Sequence, residues 1–235
     1  MSDAPERLRR FYKTVTTGTP DHAGNATILL DARPIKTPRK RALLVPERVA
    51  EAIAREWATQ ETFIEPTTMP LTRLANTAID GVAEAADAVK AEIVKIAGSD
   101  LVAYRADAPA GLVARERAAW DPLVAFVKER FGLTLAVTDG LMPVAQPSAL
   151  NDAIGGVLPD TPLALAGVHS VASLSGSAII AVALHTGAID AQTAWHAAHV
   201  EEDWNIEEWG EDALAAERRA ARKRDFDAAV FLQGR

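Results

Sequence analysis

Residues 161–189 contain no aspartate, glutamate, lysine or arginine, so the segment TPLALAGVHSVASLSGSAIIAVALHTGAI has to leave water in any stable fold. It is long enough to cross a bilayer. Its serines, its repeated glycine and alanine, His169 within it and the lack of a lysine or arginine flank to set an orientation argue instead for a buried helical core. Helices are expected at 148–158, 162–186, 190–209 and 211–232, with 162–186 at the centre.

The first third of the chain has a different period. Residues 13–17, 26–31 and 43–45 are β-rich, and Asp31-Ala32-Arg33-Pro34 reads as a turn between Ile28-Leu29-Leu30 and Ile35-Lys36-Thr37. Pro46 opens a helix marked by Val49, Ile53 and Trp57, after which Phe63-Ile64 is extended again. From Pro70 onward the signals are helical. Leu71, Leu74, Ala75, Ala78, Ile79 and Val82 form one apolar stripe, Val89, Ile93 and Ile96 the next. Pro122 is expected to start a fresh helix containing Leu123, Phe126 and Val127, and Leu133 to Gln146 to be the main non-helical connection. Charge divides the chain in the same sense: residues 1–73 carry net +3 and the remainder net −10. The expectation is an α+β protein, with a small β-rich N-terminal domain over 1–72 and a larger all-helical, orthogonal bundle-like domain over 73–235.

Several chemistries are excluded by what is missing. Without cysteine there are no disulfides, thiolate nucleophiles or cysteine metal sites, which fits a reducing compartment. MSDAPERLRRFYK mixes acids with bases and has no apolar core, so neither a secretory signal nor a transit peptide is expected, and a bacterial-type cytoplasm is the simplest address. There is no Gly-Lys pair, no GxGxxG and no HExxH, so neither ATP nor dinucleotide chemistry is expected, and no small-molecule substrate is expected.

The second half points to protein binding. Phe131 to Glu217 holds twelve carboxylates without one lysine or arginine, and seven of the twelve fall in EEDWNIEEWGED at 201–212. Such a surface repels polyanions and attracts a basic partner, with Trp204 and Trp209 as aromatic anchors. On an unbroken helix over 190–209, Trp195, Ala198, His199, Glu202, Ile206 and Trp209 share one face, continued by Ala213. Glu202 then lies on the apolar stripe and needs a partner, either His199 or an incoming basic group. Glu201, Asp203, Glu207 and Glu208 are expected to face water. Two further readings stay open: a metal-dependent hydrolase with His196, His199 and Glu202 as ligands, and an acidic adaptor for some other basic protein. The cluster Arg218, Arg219, Arg222, Lys223 and Arg224 is expected to compensate charge locally rather than to bind nucleic acid.

RFYK at 10–13, LLDARPIKTPRK at 29–40, EW at 56–57, MPLTRLANTAIDGV at 69–82, YRA at 104–106, WDPL at 120–123 and EEDWNIEEWG at 201–210 follow one another in a specific order and spacing. In this the chain resembles the assembly chaperones that bind the alpha subunit of the ATP synthase catalytic head in mitochondria and alphaproteobacteria. Ala32 stands where that family leads one to expect glycine, and Asn205 where one expects glutamine. The resemblance implies a small α+β domain followed by a helical one, no catalysis, no cofactor and no membrane insertion. It implies a chaperone that is a monomer when free, and a client similar to the unassembled alpha subunit, whose nucleotide-site face is exposed before it meets beta subunits. Mitochondrial relatives would work in the matrix. For the client site it implies Glu202, Trp209 and Gly210, with Glu201 and Asp203 beside them.

Overall fold

The computed structural model describes residues 8–140 and 142–234. They fall into two compact units, Met1–Glu84 and Ala85–Arg235, so the boundary lies after residue 84 and not after residue 72 as the sequence suggests. Polar side chains explain the difference. The segment after Pro70 is helical, yet it is tied to the sheet unit by carboxylates that a hydrophobic pattern does not register.

In the first unit the central strand is β2 (Asn25–Leu30), and its alternation buries Ala26, Ile28 and Leu30 on one face. Strand β1 (Val15–Thr17) pairs with it antiparallel through Val15↔Leu30, the hairpin partner β3 (Arg33–Pro34) through Leu29↔Pro34, and β4 (Leu44–Pro46) with its first half through Ala26↔Val45. The turn is tighter than expected, because Arg33 and Pro34 already belong to β3. Its two residues, Asp31 and Ala32, have φ of 47° and 64°, the left-handed pattern that a two-residue hairpin with native twist demands. Asp31 steadies the turn by accepting from the amides of Lys13 and Thr14 at 3.0 and 2.9 Å.

Helix α1 (Glu47–Ala58) packs Val49 and Ile53 against β2, and Trp57 joins Tyr12, Leu30, Ile64 and Met69 in a second cluster. Helix α2 (Pro70–Thr77) begins on the Glu56 carboxylate, which accepts from the amides of Leu71 and Thr72 at 2.7 and 2.8 Å. Those are orphan donors of a helix start, supplied here by a side chain far away in sequence. A single π-turn, Ala78–Val82, then re-phases the helix and brings Asp80 inside with Ala75, Ala78 and Val82, while Leu71, Leu74 and Ile79 are half-buried. Asp80 accepts from the Thr37 hydroxyl at 2.6 Å and the Arg39 amide at 3.0 Å. Burial works against its ionised form, but these bonds and the Arg41 and Arg39 charges outweigh it and hold the carboxyl below its ordinary range.

The second unit is helical apart from one short parallel pair, β5 (Tyr104–Arg105) with β6 (Thr138–Asp139). Its helices are α3 (Ala86–Ala97), α4 (Ala110–Phe131), α5 (Ala149–Gly155), α6 (Pro162–Ser175), α7 (Ala178–Thr186), α8 (Ala191–Ala198), α9 (Val200–Trp209) and α10 (Ala213–Leu232). The charge-free segment does form the core, as two helices with an elbow at Gly176-Ser177 rather than one. Asp100, wholly buried, holds the elbow by accepting from the Ser177 hydroxyl at 2.5 Å and the Ile179 amide at 3.0 Å. Residues 178–184 are buried all round, with α6 set against α10, α3 and α7. Among the described residues no helix is long and apolar enough to cross a membrane.

Pro122 does not start a helix; it sits inside α4. It and Ala118, whose carbonyl loses an amide partner to the proline ring, are both exposed, so the break lies on the outer face of the helix. Buried Trp120 pins the helix on the other face, its indole N–H donating to the Ala197 carbonyl at 2.7 Å. Leu123 and Val127 follow Trp120 into the core.

Candidate functional site

The helix expected over 190–209 is broken at His199, whose φ of −129° and ψ of 19° separate α8 from α9. His199 is buried. Its ring stacks on Trp195 with centroids 3.8 Å apart and its Nδ1 lies 2.8 Å from the Trp195 carbonyl, so that nitrogen carries the proton. Burial holds its pKa below the ordinary histidine value. The single face expected from Trp195 to Trp209 therefore does not exist, because α9 leaves in a new direction.

Acidic α9 is secured by cations from α4 and α10. On the α4 side Trp204 lies against Gly111, where a Cβ would meet the indole Cη2 at 2.5 Å. The Arg115 guanidinium sits 4.9 Å above the same indole and bonds to Glu207 at 2.5 Å, which holds the Glu207 carboxyl below its ordinary range. On the α10 side Arg222 Nη2 donates to both oxygens of Glu202, at 2.6 and 2.8 Å. Arg219 bonds to Asp203 and approaches Glu202 to 3.5 Å. The basic cluster is thus partly consumed at home, as charge compensation requires. What brings α10 back alongside α9 is Gly210, whose φ of 86° and ψ of 166° are open only to glycine. Asp212 then caps α10 through the Ala215 amide at 3.0 Å.

Between the end of α9 and the start of α10 lies an open groove of about 460 Å³, lined by Glu201, Glu202, Ile206, Trp209 and Gly210 among others. Four of the six residues singled out from the sequence therefore meet in one place. Trp209 stands at its rim with 85% of its surface exposed. Asp203 and Trp204 do not belong to it: Asp203 is turned into the pairs with Arg219 and His196, and Trp204 into α4. Glu202 meets Arg222 rather than His199, whose Nε2 is 3.9 Å away. Near the start of α9 the fully buried Glu116 accepts from the Ala106 amide at 2.8 Å; burial pushes its carboxyl up, and the charge of Glu201 adds to that.

His196, His199 and Glu202 do not form a metal centre. His196 is exposed and its Nδ1 faces Asp203 at 3.2 Å, while His199 Nδ1 is taken by a carbonyl. Among the described residues no three histidine or carboxylate side chains converge as metal ligands. Gly111, Arg115 and Arg222 were not read from the sequence as parts of this site. The arginines belong to visible basic stretches, but nothing in the sequence marks Gly111 as the seat of Trp204.

A family model described as "ATP12 chaperone protein" matches residues 9–128. Among solved structures, the chain is similar to the Atu1473 protein of Agrobacterium tumefaciens, described as a candidate chaperone, with 41% identity and a TM-score of 0.88 over 96% of this chain and 85% of that one. It is likewise similar to Atp12 from Paracoccus denitrificans, with 36% identity and a TM-score of 0.84 over 97% of each chain.

Proposed function

The chain belongs to the ATP12 chaperone family, and on that premise we propose that it is a chaperone of ATP synthase assembly that holds the free alpha subunit of the catalytic head until beta subunits arrive. The observation that carries this reading is the groove at the end of α9, where an indole 85% exposed is ringed by acids. An unassembled subunit displays sticky surface that has to be covered. Exposed carboxylates would steer a basic patch of that surface inward, and Trp209 would anchor it. In this reading Glu201, Trp209 and Gly210 meet or shape the client contact, while Glu202 keeps α9 and α10 together beneath it. The protein acts as a monomer in a bacterial-type cytoplasm, catalyses no reaction and takes no cofactor.

Aggregation of purified alpha subunit, followed by light scattering with and without the chaperone, tests the proposal. Stoichiometric suppression that Trp209→Ala abolishes is the expected result. Failure to protect alpha subunit, together with capture of a different basic protein, would move the reading to an acidic adaptor.

A further inference from the structure

The first unit carries a cavity that the acidic groove does not use. Phe11, Tyr12 and Trp57 form a ladder of rings, edge-on at 5.4 and 5.7 Å, leading from Phe11 at 65% exposure into the cluster of Leu30 and Met69. Beside this ladder opens a space of about 540 Å³, walled by Leu30, Pro34 and Ile35 as well as the rings, large enough for a bulky side chain and its neighbours. Arg33 and Lys36 stand at its rim, both exposed. No ion pair with a carboxylate is formed by either among the described residues, and Asp31, which also lines the space, holds its carboxylate on the amides of Lys13 and Thr14. Strand β3 is a sheet edge, but it is two residues long and contains Pro34, which has no amide hydrogen to offer an added strand. Recognition here has to work through side chains.

We propose that this cavity is a second client-docking site, taking a bulky apolar side chain from an extended segment flanked by aspartate or glutamate. Apolar walls select the side chain, and the two rim cations select its acidic neighbours and reject basic ones. The site is complementary in charge to the groove on α9, so one client could offer basic surface to one and acidic surface to the other. It rests on the chaperone reading only for the identity of that client.

The probes are fluorescein-labelled hexapeptides with a central phenylalanine flanked by glutamate or by lysine, titrated by anisotropy against the full chain. The glutamate peptide is expected to bind saturably below about 1 mM, and the lysine peptide at least about tenfold more weakly. Phe11→Ala and the pair Arg33→Glu/Lys36→Glu should each weaken the glutamate peptide about tenfold without lowering the melting temperature, since all three side chains are exposed. Trp209→Ala should leave peptide affinity unchanged, which separates failure of this site from failure of the groove. Equal affinity for both peptides, undiminished binding by Phe11→Ala, or no binding at about 1 mM overturns the proposal.

Discussion

Replacing Glu202 by lysine removes the carboxylate on which Arg222 closes and sets a third cation beside Arg222 and Arg219. The pair is one-third to two-fifths exposed, so its loss is worth only about 1 kcal/mol. The new like-charge contact at roughly 4 Å adds between about 1 and 4 kcal/mol before side chains swing away. A net loss of about 2 kcal/mol is expected. For a helical unit of this size it lowers the melting temperature by roughly 4–8 °C, and because α10 no longer grips α9, protection of alpha subunit falls with it. The double variant Glu202→Lys/Arg222→Glu restores the pair with reversed polarity. It should melt close to wild type by circular dichroism and regain aggregation suppression. A double variant that melts normally but leaves alpha subunit unprotected would refute the reasoning, since Glu202 would then touch the client itself. One that melts as low as the single variant would show that the pair contributes nothing.

Trp209→Ala should leave the melting curve within about 0.5 kcal/mol of wild type while raising the dissociation constant for alpha subunit about 30-fold, as expected for an aromatic anchor, measured by surface plasmon resonance. Ala32→Gly should stabilise the first unit by about 0.5–1 kcal/mol in urea titrations, because the left-handed φ of 64° penalises a Cβ more than glycine costs in the unfolded chain; no change would mean the turn is unstrained. Acid should unfold the first unit early. The Asp80 carboxyl, and that of Glu84 through the Arg41 hydrogen bond, lie below their unfolded values, so their contribution is complete above the unfolded carboxylate range and disappears as pH falls through the folded values. Asp80→Asn should flatten the decline in urea midpoint between neutral pH and about pH 3, and an unaltered slope would exclude it.

What the sequence conveyed was mostly what hydrophobic period and charge can carry. The sheet over β1, β2 and β4 and the buried α6–α7 region follow from that level, whereas Glu201, Glu202, Trp209 and Gly210 were picked out by the resemblance to the chaperone family. Three of the errors share a physical origin, namely tertiary polar bonds. The break at His199 is fixed by its stacking on Trp195 and a bond to its carbonyl, the elbow at Ser177 by Asp100 far earlier in the chain, and the attachment of α2 to the sheet unit by Glu56 and Asp80. Pro122 misled for the opposite reason: its local penalty is real, but an exposed helix face and buried Trp120 absorb it. Trp204 looked like a partner contact because tryptophan beside acids has the same composition whether it faces a client or a neighbouring helix.

Displaying a nearly bare indole carries a hazard, since two copies of such a face would adhere through their tryptophans. The exposed acids around Trp209 remove it. Glu208 on α9 and Glu211 and Asp212 beyond it are all exposed, so a copy approaching face to face meets like charge before the rings can touch, whereas a basic surface is drawn in by the same field. Adhesiveness is thereby made conditional on the sign of the visitor. High salt, which screens that field, would let the protein begin to recognise itself.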